Sequence, residues 1–80
     1  MKNDLEGAIA EYTKAIEIDS RQTEIYLNRG HLKLLVGRAA EADLDFAESL
    51  RIAGARGPAI EALIKEYKDG PTTQKRLGDR

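Results

Sequence analysis

Hydrophobic side chains recur at intervals of three and four residues along most of the chain, a spacing that predicts α-helices. In the first segment they fall at Leu5, Ile9, Tyr12 and Ile16. We therefore expect a helix over about residues 4–19, with one apolar face and a polar remainder.

The second predicted helix is apolar on more than one side. Large apolar residues occur throughout the segment from Ile25 to Val36, and a helix of this kind usually packs between neighbours. Gly30 lies inside it, where glycine costs about 0.8–1 kcal/mol relative to alanine, and a close helix contact explains that choice. Gly37 is positioned to end the helix.

Two more helices are predicted beyond Gly37. The third covers about residues 38–53, and its apolar stripe consists of Ala39, Ala42, Phe46, Leu50 and Ala53. The fourth has Pro58 near its start, and its stripe consists of Ile60, Leu63, Ile64 and Tyr67. Residues 71–80 contain one large apolar residue and are expected to form a flexible C-terminal tail. The predicted fold class is all-α, with about four helices.

Composition narrows the range of functions. The chain has no cysteine and one histidine, so we expect no disulfide, no zinc site and no other metal or cofactor. Its 13 basic and 14 acidic residues are interspersed, so no strong field favours nucleic acid or an anionic membrane. No apolar run approaches the roughly 20 residues of a membrane-spanning helix, and no signal peptide is evident, so we expect a cytoplasmic protein. The acidic residues of the third helix are expected on a solvated face: Glu41, Asp43, Asp45 and Glu48.

The first and third predicted helices repeat one another at a fixed separation. Small, aromatic and aliphatic residues recur 34 positions apart in the pairs Ala8/Ala42, Tyr12/Phe46, Ala15/Ser49 and Ile16/Leu50. A period of 34 residues is the length of a tetratricopeptide helix-turn-helix unit. With the stretch "IYLNRGHLKLLVGRAAEADLDFAESLRI", this period makes the chain resemble the tetratricopeptide repeat family.

The resemblance implies a division of the chain into repeat units. Residues 1–70 would form one helical domain, a fragment of a right-handed superhelix of antiparallel helix pairs. Within it, residues 3–20 resemble the second helix of a partial repeat and residues 23–54 a full, degenerate repeat. Residues 57–69 resemble the first helix of a following repeat or a capping helix. Arg29 and Lys33 depart from the pattern, because the family favours leucine and an aromatic residue there.

The resemblance also implies that the chain binds a protein partner. In this family the first helices of the repeats line a concave surface that holds a peptide or a helix. Counting along the family pattern, this surface should contain Thr23, Leu27, Asn28, His31, Leu34, Leu35, Arg56, Ile60 and Leu63. A lone histidine without a neighbouring nucleophile or paired carboxylate forms no catalytic arrangement, so we do not expect an enzyme.

Two of these residues resemble part of a carboxylate-binding arrangement. In chaperone-binding members of the family, an asparagine at the place of Asn28 and a basic residue at the place of Arg56 help to bind a partner's C-terminal carboxylate. Ile60 stands where a second basic residue would be, so the arrangement is incomplete. The simpler interpretation of Asn28 is a surface asparagine.

An alternative function is structural. Repeats of this type bury their faces against neighbours, and the first helix would have no preceding helix within this chain. Its apolar residues would then support self-association as a homodimer, or contact with the rest of a longer array, without any groove ligand. The residues predicted for this contact are Leu5, Ile9, Tyr12 and Ile16.

Overall fold

A computed structural model describes residues 4–69, and every regular element within that range is helical. The elements are α1 (Leu5–Ile18), α2 (Thr23–Leu35), α3 (Ala39–Ala53), a short 3₁₀ turn (Gly54–Arg56) and α4 (Gly57–Asp69). The all-α fold class is confirmed, and the helices are arranged as in a helical repeat protein. The predicted tail at residues 71–80 lies outside the described residues. In the described range no helix is both long enough and apolar enough to cross a membrane.

Gly37 ends α2 through a specific backbone arrangement. Its φ angle is 89°, in the left-handed region that glycine enters without a steric penalty. The backbone N–H of Gly37 donates to the carbonyl of Leu34, and that of Arg38 donates to the carbonyl of Lys33. These two hydrogen bonds form a Schellman motif, which satisfies carbonyl groups at the end of the helix and turns the chain towards α3.

The second helix lies at the centre of the fold. It contacts α1, α3 and α4, and its contact with α3 is the most extensive. The core consists of Leu27, Ala42, Phe46, Ile60 and Ile64, which come from α2, α3 and α4. This explains why the apolar residues of α2 are not confined to one side.

Gly30 allows α2 and α3 to approach closely. A Cβ atom at this position would lie 2.7 Å from Cε1 of Phe46 and 3.2 Å from Cβ of Asp45. Both distances are shorter than ordinary van der Waals contacts, and Phe46 is buried in the core. Gly30 was predicted to mark a close contact between helices, and it lies where α2 crosses α3.

Candidate protein-interaction surface

Two side-chain contacts join α2 to α4. Near the start of both helices, Nη1 of Arg56 donates a hydrogen bond to Oε2 of Glu24 at 3.2 Å. Further along both helices, the rings of His31 and Tyr67 stack with centroids 4.0 Å apart and an interplanar angle of 6°. Arg56 lies in the 3₁₀ turn directly before α4, and Glu24 lies in the first turn of α2, whereas His31 and Tyr67 lie further along the two helices. The helices α2 and α4 therefore run in the same direction.

The surface between these contacts combines polar and apolar groups. Asn28 lies one turn before His31 on α2, and Leu63 lies one turn before Tyr67 on α4. Asn28 is partly buried, and its side chain makes no hydrogen bond within residues 4–69, while Leu63 is 37% exposed. Leu35 extends the α2 side of this surface and is 58% exposed. We call the surface formed by Asn28, His31, Leu35, Arg56 and Leu63 the α2–α4 surface.

Three residues predicted for the concave surface belong to the interior instead. Thr23, Leu27 and Ile60 are 3%, 3% and 5% exposed, so their side chains are not accessible to a partner. Leu34 is partly buried and packs against the core. The family pattern places all four on the correct helices, but the packing of α3 and α4 against α2 covers them.

The predicted self-association face of α1 also needs correction. Ile9 is 7% exposed because α2 packs against this side of α1, so it cannot lie on an open surface. Leu5, Tyr12 and Ile16 are partly buried. The most exposed large apolar residue of α1 is Ile18, at 86%, which the prediction did not include.

Comparison with known proteins identifies the repeat. Residues 2–37, which include all of α1 and α2, match the family model for the TPR repeat. This segment is therefore similar to a tetratricopeptide repeat. This match supports assignment to the tetratricopeptide repeat family, so the predicted family is confirmed. No curated protein and no solved structure gives a significant match.

Tetratricopeptide repeats generally mediate binding between proteins and are generally not catalytic, so the match indicates a protein-interaction module. The matched range joins the predicted partial repeat to the first half of the predicted full repeat. It does not establish the repeat boundaries, so the division at residues 3–20, 23–54 and 57–69 stays a prediction.

Arg29 and Lys33, which depart from the tetratricopeptide pattern, belong to an ionic cluster between helices. Arg29 donates to both carboxylate oxygens of Asp45, from Nε at 2.9 Å and from Nη2 at 2.7 Å. Nη1 of Arg29 donates to Oγ1 of Thr13 at 3.1 Å, and Nζ of Lys33 lies 3.3 Å from Oδ2 of Asp45. The hydrogen bonds from Arg29 to Asp45 raise the pKa of the guanidinium. We call Thr13, Arg29, Lys33 and Asp45 the ionic cluster, which joins α1, α2 and α3.

Sequence reasoning missed this cluster. Asp45 was expected on a solvated face, but the residue is only 3% exposed. Two features of the sequence could have predicted it. Two basic residues of α2 stand where the family favours apolar ones, and Asp45 lies on the same face of α3 as Phe46. The remaining three acidic residues of that set are exposed or partly exposed, as expected: Glu41, Asp43 and Glu48.

The stack between His31 and Tyr67 predicts a pH-dependent stability. Desolvation lowers the pKa of His31 below its ordinary value of 6.5. The unfolded chain therefore binds more protons as pH falls through that value, and the free energy of unfolding should decrease between about pH 7.5 and 5.5. The loss should be smaller in His31→Phe, which retains a stacked ring but does not titrate. Urea unfolding at both pH values measures the difference, and equal losses in the two proteins would contradict the prediction.

Proposed function

We propose that this chain holds an extended peptide or a helix of a partner protein along the α2–α4 surface. The observation that carries the proposal is the parallel alignment of α2 and α4, which leaves Asn28 and Leu63 accessible between two cross-contacts. The repeat match supports the general role, because tetratricopeptide repeats generally bind proteins. The contacting residues and the form of the ligand are our inference.

The side chains of this surface suit a peptide. The Asn28 amide has both donor and acceptor atoms, which match the N–H and C=O groups of a peptide backbone. Leu35 and Leu63 offer accessible apolar area for side chains of the ligand. Arg56 provides guanidinium donors at the start of α4, where its side chain is 58% exposed. An acidic group of the ligand would therefore compete with Glu24 for Arg56.

The test begins with peptides selected on the full chain from a random library. We expect selected peptides to shift the backbone amide signals of α2 and α4 in nuclear magnetic resonance spectra. We also expect the combined substitutions Asn28→Ala and Arg56→Ala to weaken binding by about tenfold or more, since each removes a polar contact. A suitable control is Arg51→Ala, because Arg51 is also an exposed arginine paired with a glutamate, but on α3. Equal affinity for all three proteins would contradict the proposal.

The structural alternative predicts a different result. If the helices only joined a larger assembly, substitutions on the α2–α4 surface would not change partner capture. Substitutions on exposed positions of α1 would change it instead. Measuring both sets of variants with the same partner separates the two functions.

A further inference from the structure

The stacked rings of His31 and Tyr67 connect the α2–α4 surface to the core. They are parallel to within 6° at a centroid distance of 4.0 Å, and both residues are partly buried. Tyr67 packs against the core cluster, with its ring centroid 6.4 Å from that of Phe46. The core therefore closes one side of the pair, and the imidazole of His31 remains open to water from the side of the α2–α4 surface.

The residues around this stack are apolar. Ile60, Leu63 and Ile64 lie one or two turns before Tyr67 on the same side of α4. Leu35 lies one turn after His31 on α2 and is 58% exposed, while Leu63 is 37% exposed. Accessible apolar area therefore flanks the stack on both helices. A ligand side chain that covers the stack gains most if it is apolar itself.

No charged group of the described residues compensates a proton on His31. Glu24 shares its side of α2, but it lies two turns earlier and accepts a hydrogen bond from Arg56. Burial lowers the pKa of His31, and no neighbouring charge contributes to that shift. The nearest ionic groups on the other sides of α2 and α4 are paired with α3: Arg29 and Lys33 with Asp45, and Lys68 with Asp43.

We propose that the ligand places an apolar side chain over the stack of His31 and Tyr67, and that it binds only when the imidazole is neutral. A protonated imidazole needs water or a counter-charge, and such a ligand removes the first without supplying the second. Binding therefore releases a proton from chains in which His31 is protonated, and affinity decreases as the pH falls. This inference rests on the proposed function. It adds the class of ligand side chain and the regulation of the surface by pH.

A single titrating group limits the size of the effect. The release of one proton changes affinity by at most about tenfold for each pH unit. Burial already places the pKa of His31 in the free chain below 6.5, so most of the change falls at pH values under 6.5. We expect affinity to decrease by about threefold or more between about pH 7.5 and pH 5.5.

Calorimetry with peptides selected on the full chain tests the coupling. Peptides without histidine and with an acetylated N-terminus have no group that titrates in this pH range. Titrations in two buffers with different ionisation enthalpies count the protons released on binding. We expect release at about pH 6 from the parent chain and none at about pH 8. The variant His31→Phe should release no proton and should bind with an affinity that does not depend on pH.

Glu24→Gln is the matched control, because it removes the other titratable group on the same side of α2. A backbone hydrogen bond and Arg56 lower the pKa of Glu24, so this carboxylate stays ionised throughout the range. Proton release should therefore persist in Glu24→Gln. Alanine substitutions along the peptide should identify one apolar residue whose removal abolishes the release. Release that no such substitution changes would contradict an apolar contact with the stack.

The outcomes separate this inference from the proposed function. Suppose that Asn28→Ala with Arg56→Ala weakens binding, while the parent chain and His31→Phe show the same dependence on pH. The peptide then binds the α2–α4 surface, but the coupling to His31 is wrong. Affinity that increases as the pH falls would also overturn the inference, because the ligand would then offer a carboxylate to protonated His31. If the combined substitutions do not change affinity, the proposed function fails, and this inference fails with it.

Discussion

Replacing Asp45 by alanine is expected to destabilise the fold by about 3–5 kcal/mol, because it leaves Arg29 and Lys33 without their common counter-charge in a poorly solvated site. The side chains of Asp45, Lys33 and Arg29 are only 5%, 12% and 16% exposed. Water therefore cannot fully replace the lost carboxylate. The free energy of unfolding, measured with urea and followed by circular dichroism, gives the size of the effect.

The neighbouring substitution Asp43→Ala is the control. Asp43 forms an ion pair with Lys68 at 2.8 Å, but both side chains are about half exposed, at 58% and 47%. Exposed pairs of this kind contribute about 0–1 kcal/mol. If Asp43→Ala and Asp45→Ala reduced stability equally, the burial of the ionic cluster would not be the cause.

The ionic cluster also predicts a partial rescue. Adding Arg29→Leu and Lys33→Leu to Asp45→Ala removes the two basic groups that Asp45 had paired, although Nζ of Lys33 also lies 3.6 Å from Oε1 of Glu41, and it provides apolar side chains at the α2–α3 contact. Apolar replacement of a buried ionic group is often neutral or stabilising. The triple variant should therefore be more stable than Asp45→Ala alone. A further loss of stability in the triple variant would show that these basic side chains stabilise α2 independently of Asp45.

Helix positions could be predicted from the sequence because they depend on local spacing and on residues at the helix ends. The helix expected over residues 4–19 occurs at Leu5–Ile18, and the one expected over residues 38–53 occurs at Ala39–Ala53. Gly37 ends α2 through backbone hydrogen bonds within a few residues of itself. The 34-residue period then predicted that the first and third helices are equivalent, because their small and aromatic residues recur in the same order.

Burial on a particular side of each helix could not be predicted in the same way. Spacing shows that Leu27 and Asn28 lie on α2, but the positions of α3 and α4 determine that only Leu27 is buried. Asp45 shows the same limit in reverse. This acidic residue lies among other acidic residues of α3 that are exposed or partly exposed, but Arg29 and Lys33 of α2 pack against it and it is buried. Such contacts connect distant parts of the chain, so the local pattern contains little information about them.

Replacing Phe46 by alanine is expected to reduce the free energy of unfolding by about 3–5 kcal/mol, the usual cost of removing a buried phenylalanine ring. Phe46 is 3% exposed and lies in the core cluster, while its ring also faces Tyr67 at a centroid distance of 6.4 Å. Leu44→Ala is the control on the same helix, because Leu44 is 71% exposed and its removal should leave no cavity. Urea unfolding of both variants measures the difference.

The same ring should determine the effect of filling Gly30. In the parent chain, Gly30→Ala should be destabilising, because the new Cβ would lie 2.7 Å from the Phe46 ring and the core must shift to admit it. With Phe46→Ala already present, the ring no longer obstructs that methyl group. The higher helix propensity of alanine, worth about 0.8–1 kcal/mol, should then offset much of the remaining cost. A double-mutant cycle tests this coupling. Additive losses would show that Phe46 does not set the distance between α2 and α3, and the requirement for a small residue at the crossing would then need another cause.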